Sequence, residues 1–500
     1  MVTLSASIEH WARSTPDRLA VRYGDTRITY ADLFERVCRV AGILAAQGVG
    51  RGDIVALLMK NSAAFVELTL AASHLGAVVL PVNYRLGKDE VEYILHHSGA
   101  RLVCVDQDLE GNAGETPRLA VTPALEHDFG RIDRAVLPVC EPAPVMPSDM
   151  FRLMYTSGTT GLPKGVMHSY ENFYWKTLDH ISELQLTAED RLLVAGPLYH
   201  VGAFDLPGFA LFEVGGSLTI LRDFDAAAAL RAVEADRLTG AWLAPIMLNR
   251  LLALSEYQDY DRDSLKWVVG GGERTPAQRI EAFGSLFPRG RYVDAYGLTE
   301  TCSGDTMMQA GREIEKIGSA GRALSHVRIE IRDGQGQSLP AGQVGEICLW
   351  GPKVTGGYWR DEQRTEESFF GDWFRSGDMG YLDEDGFLYL VDRKKDMVIS
   401  GGENIASSEV ERVLYQLQDI EEAAVIGLPD QKWGERVVAV AVLREGATLT
   451  LETLQAHCRG KIGGFKIPRQ LVVLDALPRN PSGKVLKRVL RDDLAAQHED

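Results

Sequence analysis

Short apolar runs recur along the chain, DIVALLM (53–59), RLLVAG (191–196), SLTIL (217–221) and LKWVVGG (265–271), with longer amphipathic stretches between them. Runs of this length that stay apolar without alternating predict buried strands, and their interleaving with amphipathic segments predicts α/β layering. From His326 to Trp350 the pattern changes. VRIEIRD and VGEICLW alternate with period two around a Gly/Pro-containing turn, which predicts a half-exposed antiparallel hairpin. DEDG (383–386) ahead of FLYLV predicts a second one. Beyond Asp392 the chain reads as a smaller unit. There SSEVERVLYQLQ places Val410, Val413, Leu414 and Leu417 on one helical face, with Ser408 and Glu411 spaced as a capping box, and VVAVAVL (437–443) reads as a strand.

Composition narrows the partners. At 500 residues the chain exceeds the size at which a single core keeps growing, so two or more domains are expected. Lys and Arg total 53 against 70 Asp and Glu, a formal charge of -17, which disfavours nucleic acid or an anionic membrane as the main partner. An anionic small molecule must therefore be met by local positive charge. The six cysteines (38, 104, 140, 302, 348 and 458) include no CxxC pair, so reduced, mostly buried thiols and a cytoplasmic location are expected. The first residues, MVTLSASIEHWARSTPDRLA, carry charges throughout, and no apolar window is long enough to span a bilayer; neither a signal peptide nor a transmembrane anchor is expected.

Candidate chemistry is densest in YTSGTTGLPKG, Tyr155 to Gly165. Gly158, Gly161 and Gly165 let the backbone turn tightly and approach a ligand, Thr156, Ser157, Thr159 and Thr160 offer donors, and Lys164 supplies compact charge, a composition suited to polyphosphate. A P-loop would need its lysine followed by Ser or Thr at the start of a helix; here the lysine lies between proline and glycine. Taken alone, the segment is also compatible with a surface turn.

DAYGLTE (294–300), WFRSGD (373–378), DRKKDMVISGGEN (392–404) and NPSGK (480–484) follow in that order. With the first loop, these motifs resemble the adenylate-forming superfamily of acyl-CoA synthetases, nonribosomal adenylation domains and luciferases, over nearly the whole chain. The resemblance implies an α/β fold with a large multi-subdomain N-terminal domain (1–394) carrying the ATP and acyl sites, and a small mobile α+β C-terminal domain (395–500) hinged at Lys395. It implies ATP-dependent activation of a carboxylate: attack on the α-phosphorus, loss of pyrophosphate, then attack of the thiol of coenzyme A on the acyl-AMP. Since every reacting group is an anion, the protein's task is charge neutralisation and alignment.

Residue by residue, the resemblance implies that Thr156 to Gly161 and Lys164 hold the β- and γ-phosphates. Thr156 and Glu300 would ligate Mg2+, and Thr299 would touch the α-phosphate. Gly271, Gly272 and Glu273, with Asp294, Ala295, Tyr296 and Gly297, match the adenine-binding segments; Asp378 and Arg393 match the ribose contacts. Lys484 matches the lysine that bridges carboxylate and α-phosphate. Gly402, beside Gly401, matches the glycine lining the tunnel for coenzyme A. Lys484, His200, Gly402 and Glu300 are thus the expected catalytic group.

For the acid, His200 in PLYHVGAFDLPG matches an aromatic gate position, with a packed histidine as the plain alternative. Amino-acid activators typically carry aspartate immediately after it, where this chain has Val201; Asp205 keeps that alternative open. Val201, Gly202, Ala203, Phe204, Trp242, Pro245, Ile246, Gly270 and Gly297 surround the expected acyl site and are apolar or small. An apolar acid is implied, with a medium- or long-chain fatty acid first and a hydroxycinnamate-type aryl acid as alternative. A stand-alone enzyme loading a carrier protein, a nonenzymatic AMP-binding sensor and a luciferase-like oxygenase are further readings, and a homodimer is left open.

Overall fold

The computed structural model describes residues 3–121, 137–156, 163–271, 277–393, 396–400, 403–430, 433–459, 461–479 and 485–496. The chain divides into two compact units: residues 1–328 with 349–374, and residues 329–348 with 375–500.

The first unit contains two sheets. In the six-stranded one the order is Arg118–Val121, Leu102–Asp106, Ile54–Leu58, Val78–Pro81, Met150–Thr156 and Lys164–Ser169. The nine-stranded one runs Arg322–Ala323, Thr306–Met307, Arg291–Tyr296, Trp267–Gly271, Gly240–Trp242, Arg191–Val194, Ser217–Ile220, Leu19–Tyr23 and Thr26–Thr29. All four apolar runs are strands, and Ile54–Leu58 and Trp267–Gly271 are buried along their whole length, as parallel strands covered on both faces must be. The stretch from Arg291–Tyr296 to Leu19–Tyr23 is parallel throughout. Its carboxyl ends therefore point the same way, and such an edge is where open α/β sheets bind ligands. Trp242, Gly271 and Tyr296 each end a strand there, and His200 follows shortly after Val194.

In the second unit, Ile420–Asp430 and Gly434–Leu443 form a long antiparallel pair, with Gln470–Val473 added parallel to the latter. Val410, Val413 and Leu414 pack on one cluster with Val398, Val425 and Leu454, while Leu477, Leu490 and Leu494 pack with Ala424, Ile426 and Val438 in another. The helix spans Ser407–Leu414, and Leu417 lies beyond it, packed against the first cluster. The expected capping box does not form. The helix begins at Ser407 after Ala406, so Ser408 is inside it and its hydroxyl donates to the Val391 carbonyl. Glu411 instead accepts from the Val425 N–H at 2.7 Å and pairs with Lys487 at 2.8 Å.

The first expected hairpin is half right. Arg328–Arg332 is partly exposed, whereas Gly345–Leu349 is buried residue after residue. The polar member of that run, Glu346, is buried because Arg375 donates to it at 3.0 Å. The DEDG turn is as expected. The Asp383 carboxylate accepts from the N–H groups of Asp385 and Phe387, and Gly386 takes φ 80°, a left-handed conformation that favours glycine.

Candidate active site

Strands Met150–Thr156 and Lys164–Ser169 are antiparallel neighbours, with Tyr155 opposite Gly165 and Thr156 opposite Lys164. They flank, in sequence, the segment expected to hold the phosphates. Ser157, Gly158, Thr159, Thr160 and Gly161 lie outside the described residues, as do Gly272, Glu273, Lys395, Gly401, Gly402 and Lys484. At the loop's end the Lys164 ammonium donates to Glu300 Oε1 at 2.8 Å and to the Tyr358 hydroxyl at 2.7 Å, 4.2 Å above the Tyr358 ring. Tyr358 also donates to Glu300 Oε1 at 2.9 Å. Burial first, and then the adjacent Glu300 carboxylate, push the Tyr358 phenol up, so it stays a donor. Tyr358 is absent from the sequence-based set.

Glu300 sits in a short 3-10 turn, Thr299–Thr301, and its backbone carbonyl accepts from the Thr355 N–H at 2.7 Å. Thr156 Oγ1 is buried and has no hydrogen-bond partner among the described residues. An orphaned hydroxyl and a nearly buried carboxylate are hard oxygen donors, so Thr156 and Glu300 suit a divalent cation such as Mg2+ that keeps most of its water.

The adenine-segment residues are adjacent in register: Gly270 lies opposite Asp294 and Gly271 opposite Ala295, with Tyr296 ending its strand and buried. Gly270 and Gly297 have packing reasons of their own. A Cβ at Gly270 would stand 1.8 Å from the Tyr292 hydroxyl, and one at Gly297 would stand 2.2 Å from the Gly304 nitrogen. In the second unit the backbone register sets Asp378 opposite Arg393, so the two expected ribose residues are cross-strand neighbours.

At the acyl segment, His200 caps the helix Val201–Asp205, its Nδ1 accepting from the Gly202 N–H at 3.0 Å. Its ring lies 5.8 Å from that of Trp242 at 28°. Burial pushes the His200 imidazole down to about 4, so it is neutral at physiological pH, with its proton on Nε2. The indole fills the space where a side chain at Gly202 would stand. Val201 and Ala203 are buried, and Phe204 is enclosed, stacked on Phe209 at 4.3 Å with the Arg152 guanidinium 4.5 Å above it. Pro245 begins the helix Pro245–Leu252, and Ile246 is exposed.

Asp205 is not an open carboxylate. It is fully buried and bound bidentately by Arg152, Nη1 at 3.1 Å and Nη2 at 2.8 Å, with Lys176 Nζ at 3.3 Å. Burial alone would push its carboxyl up; the two cations overcome that and hold it below the usual range. The same Arg152 donates from Nε to His168 Nδ1 at 3.0 Å, and His168 Nε2 meets the Thr299 carbonyl at 2.6 Å.

Burial, with Arg152 next, pushes the His168 imidazole down to about 3. Its folded value lies below the ordinary value of about 6.5, so between the two the unfolded chain binds the proton more tightly and stability rises with pH. The contribution is complete above pH about 6.5 and is lost at roughly 1.4 kcal/mol per pH unit as pH falls toward 3. His168→Gln, which cannot titrate, should flatten the fall in Tm between about pH 7 and 5. Parallel profiles for the variant and the unmodified protein would contradict the buried neutral state.

Comparison with known proteins places the chain. The AMP-binding enzyme family model matches residues 8–359, and the AMP-binding enzyme C-terminal domain model matches residues 409–484. The chain belongs to the AMP-binding enzyme family. It is 38% identical to a feruloyl-CoA synthase of Amycolatopsis sp, covering 96% of each chain. It is 34% identical to the long-chain-fatty-acid–CoA ligase FadD13 of Mycobacterium tuberculosis, covering 94% of each. Among solved structures, o-succinylbenzoate CoA synthetase (MenE) from Bacillus subtilis in complex with the acyl-adenylate intermediate OSB-AMP aligns with a TM-score of 0.89 at 33% identity, over 98% of this chain and 97% of that one. The same enzyme is known in complex with ATP and magnesium ion. No helix among the described residues is long and apolar enough to cross a membrane.

Proposed function

We propose that the chain is an AMP-forming acid–CoA ligase for an apolar carboxylic acid. The observation that carries the choice of acid is the fate of Asp205: this carboxylate of the acyl segment is consumed by Arg152 and Lys176, which leaves an amino-acid ammonium without that partner. Burying an unpaired ammonium costs several kcal/mol, so amino acids would be rejected. Within the apolar class, the near-parallel His200 and Trp242 rings offer a flat face on which an aryl acid can stack, worth about 0.5–1.5 kcal/mol beyond burial. The feruloyl-CoA synthase likeness supports the same preference. A medium- or long-chain fatty acid is the second reading, supported by the likeness to FadD13.

In this reading Lys164 and the preceding loop neutralise the phosphates, and Thr299 steadies the α-phosphate. Thr156 and Glu300 would hold Mg2+, which when bound polarises the phosphate oxygens. Gly271, Tyr296 and their neighbours take the adenine, Asp378 and Arg393 the ribose hydroxyls, Lys484 the charge developing at the α-phosphate, and Gly402 leaves room for the thiol of coenzyme A.

The test is an acid panel of cinnamate-type acids, medium- and long-chain fatty acids and free amino acids, assayed with ATP and coenzyme A for AMP release and thioester mass. Apolar acids should turn over and amino acids should not. His200→Ala should shift acid preference with the KM for ATP little changed. Amino-acid-dependent pyrophosphate exchange as fast as that of the best apolar acid would overturn the proposal, as would loading of a carrier protein in preference to coenzyme A.

A further inference from the structure

The strand Lys164–Ser169 grips the turn Thr299–Thr301 twice from one face. Residues 164, 166 and 168 share that face, as alternate residues of a strand do. Lys164 holds the Glu300 carboxylate at 2.8 Å, and four residues on His168 meets the Thr299 carbonyl at 2.6 Å. The second grip is rigid. Arg152, directly opposite His168 in register, can only donate, so His168 Nδ1 accepts and the proton sits on Nε2, aimed at Thr299. Arg152 is itself fixed bidentately by the buried Asp205.

The turn needs such support. Just beyond Thr301 the backbone is left-handed at three residues in succession, Cys302 (φ 55°), Ser303 (φ 66°) and Gly304 (φ 65°), and the two that carry side chains adopt this conformation only when their surroundings impose it. At that far end Lys353, fully buried, binds the Gly304 carbonyl at 2.5 Å and the Asp305 carboxylate at 3.0 Å, and Thr301 Oγ1 donates to Asp305 at 2.5 Å. Lys353 and His168 hold opposite ends of the segment, and the two residues assigned to the α-phosphate and Mg2+ lie at the His168 end.

We propose that His168 is a positioning residue for the adenylation step: through its Nε2–H bond to the Thr299 carbonyl it sets where Thr299 and Glu300 stand relative to Lys164 and the phosphates. This rests on the reading of the site as an adenylating one. Misplacing such groups by about 1 Å can cost ~100-fold in rate. The thioester half-reaction proceeds after pyrophosphate has left and depends less on Glu300.

His168→Leu would also strip Arg152 of an acceptor, so the decisive pair is His168→Asn and His168→Gln. Asparagine can offer Arg152 an acceptor in place of Nδ1 but does not reach the Thr299 carbonyl; glutamine keeps a donor at the reach of Nε2. Acid-dependent pyrophosphate exchange should fall ~10- to 100-fold in His168→Asn, with the KM for ATP raised, and stay within about threefold in His168→Gln. Thioester formation from supplied acyl-AMP should stay within about threefold in both. Full exchange activity in His168→Asn, an equal loss in both half-reactions, or a loss in His168→Gln as deep as in His168→Asn would each overturn the assignment. Unmodified protein without exchange for any acid would instead count against the proposed function. Mg·ATP titration by calorimetry then decides the role of His168: about tenfold weaker binding in His168→Asn upholds it, and unchanged binding overturns it.

Discussion

Asp205→Ala should leave the first unit largely unfolded or insoluble. The substitution strands the guanidinium of Arg152 and the ammonium of Lys176, both fully buried, without the carboxylate that neutralises them. Removing one partner of a buried ion pair costs about 3–5 kcal/mol, and here two cations lose the same partner. Against a native margin of about 5–15 kcal/mol this is most of the stability available. Asp205→Asn should be nearly as damaging, since it keeps the shape but not the charge. A triple replacement, Asp205→Leu with Arg152→Leu and Lys176→Met, should recover part of the loss because it removes charge from the site as a set. Chemical denaturation of soluble variants, together with the yield of folded protein, measures this. A stable Asp205→Ala protein with normal Tm would mean that the carboxylate is dispensable to the fold, and would return it to consideration as a ligand for substrate.

That expectation rests on contacts that no local pattern announces. Asp205 lies five residues after His200 in an apolar stretch, where an open ammonium partner is a reasonable reading; its real partners are 53 residues back on a strand and on the helix Tyr170–Leu184. Tyr358 was missed for the same reason, since its contact with Lys164 joins positions 194 residues apart. Unbroken apolar runs become buried strands because a parallel strand covered on both faces has no polar side to show, and the DEDG turn carries its own glycine and aspartate geometry. The adenine and ribose candidates, scattered in sequence, turn out to be cross-strand neighbours, Gly271 beside Ala295 and Asp378 beside Arg393. Local readings failed where a tertiary partner intervened: Ser408 is drawn to Val391 instead of capping its helix, and Glu346 is carried inside by Arg375. The period-two alternation that sets 164 and 168 on one face becomes a signal for His168 only once the strand itself is known.

Lys484→Ala is expected to lower acid-dependent pyrophosphate exchange by about 100- to 1000-fold, the usual cost of removing one preorganised group that stabilises transition-state charge. The lysine ends the NPSGK segment, whose flanks are well anchored. Arg479 and Val485 form an antiparallel bridge, the Leu486 N–H donates to the Pro478 carbonyl at 2.8 Å, and Arg479 pairs with Glu422 at 3.0 Å. A change at position 484 therefore leaves the base of the segment intact, and the fold should survive it. Two anions, carboxylate and triphosphate, must approach during adenylation, so a cation assigned between them acts on that barrier. Once acyl-AMP exists the carboxylate charge is gone, and thioester formation from supplied acyl-AMP should stay within about threefold of the unmodified rate. Gly402→Leu should show the opposite split, with exchange retained and thioester formation lost, if Gly402 lines the path of the thiol as proposed. An equal fall in both half-reactions for Lys484→Ala would remove the lysine from the first transition state and make its effect a general one on the second unit.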